Sequence, residues 1–219
     1  MDWFTMPYIG FAGLILLGGY LLGCVQSAYI VGRVVYKIDI REHGSGGAGM
    51  TNTARVMGGR AALIVFLADV LKCVAAYAIA SVIFDGSGTF FTSSYGANYF
   101  PGVVAALGVV LGHCFPFFLK FRGGKGAASS VGLVIMLSWQ VSLIVLAIGI
   151  AIIFITKYIS AASLIGFAAM IPTVALLGYG KDTVIIVAII ALIGWYTHRS
   201  NIVRLLSGKE SRFSVKKRK

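Results

Sequence analysis

Two glycine-rich, basic segments carry residue types able to hold an anion. The first runs His43-Gly44-Ser45-Gly46-Gly47-Ala48-Gly49-Met50-Thr51-Asn52-Thr53-Ala54-Arg55. Its glycines let backbone N–H groups approach an anion closely, Ser45, Thr51 and Asn52 add neutral donors, and Arg55 can clamp a phosphate through two parallel hydrogen bonds. The plainer reading is a flexible loop whose arginine only marks one membrane face. The second segment runs Gly112-His113-Cys114-Phe115-Pro116-Phe117-Phe118-Leu119-Lys120-Phe121-Arg122-Gly123-Gly124-Lys125-Gly126. A Gly-Gly-Lys-Gly turn opening a helix can present backbone donors and a lysine to a second anionic group. It is not a Walker A loop, which needs Gly where Leu119 stands and Ser or Thr where Gly126 stands. Lys120 and Arg122 also read as interfacial anchors, so Lys125 is the expected ligand.

Four further features stand beside these. His113 ends an apolar run, where an imidazole can act as base, as phosphate donor or as a packed core residue. Lys157-Tyr158-Ile159-Ser160-Ala161-Ala162-Ser163 bears hydroxyls and, taken alone, reads as a helix-capping signal. His198-Arg199-Ser200-Asn201-Ile202-Val203-Arg204-Leu205-Leu206 reads as an amphipathic surface helix with His198 and Asn201 on one face. Lipid anchoring explains its arginines but not that pair. Asp69 and Lys72 are neighbours on one helical face within an apolar run, where charges are costly, so they are expected to face the bundle, paired, beneath a loop.

The elements that must position these residues are membrane spans. Of 219 residues 58% are hydrophobic and 12% charged, with a mean hydropathy of +0.91, against about half apolar and a quarter charged in soluble domains. Candidate spans are Tyr8 to Ile30, Ala61 to Phe84, Phe100 to Leu119, Ser163 to Leu177 and Thr183 to Tyr196. Ala127 to Thr156 is uncharged over 30 residues and reads as two short spans turning near Ser138-Trp139-Gln140. Seven helices result, in an all-α integral membrane protein. Seventeen of the nineteen Lys and Arg then fall on one face, against Lys181 alone on the other, with Lys72 inside a span. That bias places the N-terminus outside and the C-terminus in the cytoplasm. Reading Ala127 to Thr156 as one helix would turn Lys157 and the basic tail outward. Residues 1–206 form the membrane unit and 207–219 a basic cytoplasmic tail.

The net charge of +12 would raise nucleic acid in a soluble domain, but its placement between apolar runs points to lipid headgroups or phosphate compounds instead. Cys24, Cys73 and Cys114 are odd in number and lack C-x-x-C spacing, so neither disulfides nor a zinc site is expected. The N-terminus has no Lys or Arg before Arg33, unlike a cleaved signal peptide.

Taken in order, the segments resemble the PlsY family, bacterial membrane glycerol-3-phosphate acyltransferases that use acyl phosphate. The match runs through Gly44 to Arg55, Gly112 to Gly126, Tyr158 to Ser163 and His198 to Asn201, with the span pattern extending it over nearly the whole chain. Gly47 departs from it, standing where the family pattern has Asn. The resemblance implies acyl transfer from acyl phosphate to the 1-hydroxyl of glycerol 3-phosphate, giving lysophosphatidic acid and inorganic phosphate at the inner membrane, with membrane lipid as a further partner and no nucleic acid, cofactor or metal. It puts Ser45, Arg55, Lys125, Ser163, His198 and Asn201 around the phosphates. The catalytic residues expected are His113, Lys125, Ser163, His198 and Asn201. The phosphate contacts expected are Ser45, Gly46, Asn52, Arg55, Gly123, Gly124, Lys125 and Ser160.

Acyl-CoA-dependent glycerol-phosphate acyltransferases carry His-x4-Asp, whereas the residues five after the three histidines here are Ala48, Phe118 and Val203. A membrane transporter of phosphate compounds is the competing class. It would need polar residues deep in several spans, and beyond Asp69, Lys72 and Gln140 these spans have almost none.

Overall fold

The computed structural model describes residues 11–85 and 99–212, apart from the side chain of Asp85. The expected start of the first span at Tyr8 and the tail beyond 212 lie outside the described residues. Within them every regular element is helical. The helices are α1 (Ala12–Gly23), α2 (Ser27–Val31), α3 (Met50–Val56), α4 (Gly59–Asp85), α5 (Phe100–Cys114), α6 (Ala127–Leu137), α7 (Trp139–Thr156), α8 (Ile159–Leu176), α9 (Lys181–Thr197) and α10 (Arg199–Leu206). Among the described residues, five stretches are long and apolar enough to cross a membrane: Ala12–Tyr36, Gly59–Phe84, Phe100–Leu119, Trp139–Thr156 and Ile159–Leu176. The pair α9 and α10, bent by 58°, makes a sixth if counted as one span. Large side chains such as Leu14, Leu71, Leu143, Phe154 and Leu192 point outward, as lipid-facing residues do.

The uncharged run does divide at Ser138, which is fully extended (φ −171°, ψ 165°) and accepts a hydrogen bond from Val141 N–H at the start of α7. Its first half, α6, has 11 residues and rises only about 16 Å, half a bilayer core. The first span is less regular than its hydropathy implies. α1 stops at Gly23 and α2 restarts at Ser27. The carbonyls freed there must find donors, because the bilayer core supplies no water.

At the centre α5 packs along α1, α4, α6 and α9. Its approach to α1 is backbone to backbone. A Cβ on Gly19 or Gly23 would strike the Ala105 or Val109 carbonyl, and one on Gly108 or Gly112 would strike that of Leu16 or Tyr20. Each helix thus offers two glycines four apart, the small-residue interface that gives close packing without a hydrophobic drive. This fixes the end of α5, and with it His113 and the turn that follows.

Candidate active site

The first glycine-rich loop is shaped by Asn52. Its Nδ2 donates to the carbonyls of Ile40, His43 and Gly47 at 3.1, 2.9 and 3.0 Å, while its Oδ1 accepts from Ser45 N–H at 2.8 Å and Arg55 Nη1 at 3.4 Å. The amide is therefore engaged on both atoms and acts on the shape of the cradle, in contrast to the free donor expected from sequence. Gly44 and Gly46 turn through positive φ of 62° and 73°, and a Cβ on Gly44 would collide with Asn52 Oδ1. Ser45 and Arg55 are left on the exposed side. A side chain at Gly47 would meet open space, its nearest neighbour being Ser45 Oγ at 3.9 Å. Below the loop, buried Asp39 takes Arg41 at 2.7 Å and Arg33 at 3.0 Å. Hydrogen bonds from Arg41 hold its carboxyl down at about 2. Arg41 also reaches the Leu119 carbonyl at 3.3 Å, tying this loop to the second segment.

The Gly-Gly-Lys-Gly turn folds back on α5. The N–H groups of Gly123 and Gly124 donate to the carbonyls of Cys114 and His113 at 3.1 and 2.9 Å. These two N–H groups, expected to cradle a phosphate, are engaged within the turn itself. Their smallness has another reason: a Cβ on Gly123 would strike the His113 carbonyl, and one on Gly124 would strike the His113 ring at Nε2. This compact turn points Lys125 at α10.

Lys125 Nζ lies 2.5 Å from Asn201 Oδ1, and its own carbonyl accepts from Thr197 Oγ1 at 2.9 Å. Asn201 Nδ2 and Ser160 Oγ both donate to one oxygen of Glu210, each at 2.8 Å, and Arg204 Nε binds the other at 2.7 Å. Burial pushes Lys125 down to about 8, reinforced by the positive charges of Arg204 and Arg55. Burial acts upward on Glu210, but hydrogen bonds from Asn201, Arg204 and Ser160 outweigh it and hold the carboxyl below its ordinary value. His198 Nδ1 lies 2.7 Å from the Gly194 carbonyl and so donates, leaving Nε2 as the accepting nitrogen of a neutral ring.

Lys125, Ser160, His198, Asn201 and Arg55 thus gather around one basic cluster. Ser163 and His113, both expected as catalytic, are bonded elsewhere. Ser163 Oγ donates to the Ile159 carbonyl within α8, because α8 begins at Ile159 and both serines lie inside the helix instead of capping it. His113 is fully enclosed behind Gly124 and bonded to Lys72. Glu210 stands outside the set expected from sequence, in the stretch read as a basic tail. It binds the chain beyond residue 206 back to the site.

A family model described as glycerol-3-phosphate acyltransferase matches residues 13–208. The chain is 42% identical to a glycerol-3-phosphate acyltransferase of Thermoanaerobacter pseudethanolicus, with 94% of this chain and 98% of that protein aligned. It is 37% identical to the protein of the same name from Halalkalibacterium halodurans, over 93% and 96%. A crystal structure of PlsY (YgiH), an integral membrane glycerol 3-phosphate acyltransferase, in its glycerol 3-phosphate form, superposes with a TM-score of 0.81 at 30% identity, covering 94% and 96% of the two chains. A lysophosphatidic acid form of that protein gives a TM-score of 0.78.

Proposed function

The chain belongs to the glycerol-3-phosphate acyltransferase family, and from that premise we propose how its site acylates glycerol 3-phosphate to lysophosphatidic acid with acyl phosphate as donor. The observation that carries this reading is the surplus of positive charge around Lys125. Arg55 and Lys125 have no carboxylate in ion-pair contact among the described residues, and the fields of Arg204 and Arg55 add to burial in disfavouring the ammonium. A dianionic ligand relieves that repulsion, so the site is suited to phosphate.

An acyl phosphate is already activated. The 1-hydroxyl oxygen of glycerol 3-phosphate attacks the acyl carbon, the bond from that carbon to the phosphate oxygen breaks, and inorganic phosphate departs with the electron pair. The hydroxyl proton passes to a substrate phosphate oxygen. Lys125, Arg55, Ser45, Ser163, His198 and Asn201 position the two anions and stabilise the developing charge, and Ser160 supports Asn201 through Glu210. No sequence match to His-x4-Asp supports an acyl-CoA donor. The transporter reading gains nothing from Asp69 and Lys72, which are paired to each other at 2.9 Å. Purified protein in lipid should form lysophosphatidic acid from acyl phosphate and glycerol 3-phosphate, undiminished by a chelator. Equal or better turnover with acyl-CoA or acyl carrier protein overturns the donor assignment.

The site further belongs on the cytoplasmic face of a bacterial inner membrane, in a chain of seven crossings with the N-terminus outside. The cation bias supports this, and α6 would make its crossing only through a thinned or tilted path. In a background lacking Cys24, Cys73 and Cys114, Lys181→Cys should react with an impermeant thiol reagent from outside the cell, and Ser207→Cys only from the cytoplasmic side. Labelling of both from one side refutes the topology.

A further inference from the structure

Three oxygens and one nitrogen surround Lys72 Nζ inside the bundle. Asp69 Oδ1, the Val25 carbonyl and His113 Nδ1 each lie at 2.9 Å, and the Gly23 carbonyl at 3.2 Å. The carbonyls are those freed where the first span breaks. Asp69 Oδ1 also accepts from Ser27 Oγ at 3.0 Å and stands 3.6 Å from His113 Nδ1, beyond a good hydrogen bond. An ammonium has three protons for these four acceptors. The most distant one, the Gly23 carbonyl, has a second donor in Gln26 Nε2 at 3.3 Å. Gln26 has a proton to give there because His113 O, one of its three carbonyl neighbours, is already served by Gly124 N–H. The three ammonium protons therefore go to Asp69, Val25 and His113.

Two nitrogens 2.9 Å apart cannot both donate to each other. With carbonyl and carboxylate oxygens requiring the Lys72 protons, Nδ1 of His113 must bring the lone pair, and the ring proton resides on Nε2. An imidazolium would set Nδ1–H against an ammonium. The Nε2 edge lies against Gly124, so close that a Cβ at that position would strike it.

We propose that Lys72, steadied by Asp69, is a positioning residue that holds His113 as the neutral Nε2–H tautomer, so that His113 packs behind the Gly123-Gly124-Lys125 turn as an uncharged ring and takes no proton from glycerol 3-phosphate. This rests on the acyltransferase reading for its mechanistic meaning, but the tautomer is measurable without turnover. Full-length protein with ¹⁵N-labelled histidine, in lipid nanodiscs at neutral pH, is expected to show a protonated-type Nε2 and an unprotonated-type Nδ1 for His113, assigned by loss of the signal in His113→Gln. Lys72→Met, which keeps the stem and removes the donor, should move the proton toward Nδ1 and lower kcat by about tenfold or more through misplacement of the turn that carries Lys125. Lys72→Arg, which keeps a cationic donor, should retain the wild-type pattern. A protonated Nδ1 in the wild-type protein overturns the proposal whether or not the variants fold. So does an unchanged tautomer or unchanged kcat in a folded Lys72→Met. A wild-type protein with the expected tautomer and no acylation at all refutes the functional reading and leaves the tautomer standing.

Discussion

Lys125→Ala should lower kcat/KM for glycerol 3-phosphate by roughly two orders of magnitude while the protein still folds. Lys125 Nζ reaches Asn201 across the gap between the Gly-Gly-Lys-Gly turn and α10, and is the central cation of the cluster. A charge-assisted hydrogen bond to a largely desolvated anion contributes about 3 kcal/mol at most, which is about a hundredfold in kcat/KM. The fold has no comparable stake in this charge. Burial lowers the Lys125 pKa to about 8 from an ordinary 10.5, so the native state disfavours the ammonium that activity requires.

That conflict gives Lys125 an identifiable pH signature. Between about 8 and 10.5 the unfolded chain still holds the proton that the folded protein has released. The unfolded state then binds more protons, and the Lys125 contribution to stability rises with pH through this window. Activity changes in the opposite sense, because the neutral amine no longer pairs with phosphate. The free-enzyme kcat/KM should therefore decline above about pH 8 without a matching loss of thermal stability. Lys125→Arg, whose guanidinium remains charged, should lack this limb. A limb that persists at the same pH in Lys125→Arg assigns it to another group.

The two glycine-rich segments, Lys125 and the pairing of Asp69 with Lys72 were legible because each is written in a short stretch of sequence. The division at Ser138 was legible from charge placement. What escaped depends on partners far apart in the chain. Hydropathy cannot see that the first span breaks at Gly23, since the break is sustained by Gln26 and by Lys72 on another helix. Nor can it tell that Asn52 and the N–H groups of Gly123 and Gly124 satisfy backbone partners. Glycine spacing of four in α1 and α5 was present in the sequence, but only the approach of the two helices shows which glycines pair. Glu210 lay past the expected boundary of the membrane unit, and a basic tail gave no reason to fold it back.

Gly124→Ala should be as damaging as the loss of Lys125, by a different route. The added methyl would run into His113 Nε2, with His113 Cε1 at 2.7 Å and the Ala48 carbonyl oxygen at 2.9 Å. A flexible side chain at such a place would swing aside. This one is held at Nδ1 by Lys72 and sits at the end of a helix locked against α1 by glycine contacts, so the turn must move instead. Lys125 is the next residue, and a displacement of about 1 Å at a reacting group costs on the order of a hundredfold in rate. The expected result is a fall of that size in kcat/KM, with a stability loss of about 1–3 kcal/mol from overpacking. Gly149→Ala on α7, where a Cβ meets nothing within 4 Å, should change activity by less than about twofold, since an unopposed methyl on a helix adds no strain. The collision itself is tested by a double-mutant cycle. If the ring is the obstacle, Gly124→Ala should cost little further activity in a His113→Ala background, because the clash disappears with the ring. Additive losses in that cycle would mean that the Ala48 backbone, not His113, is what glycine at 124 exists to avoid.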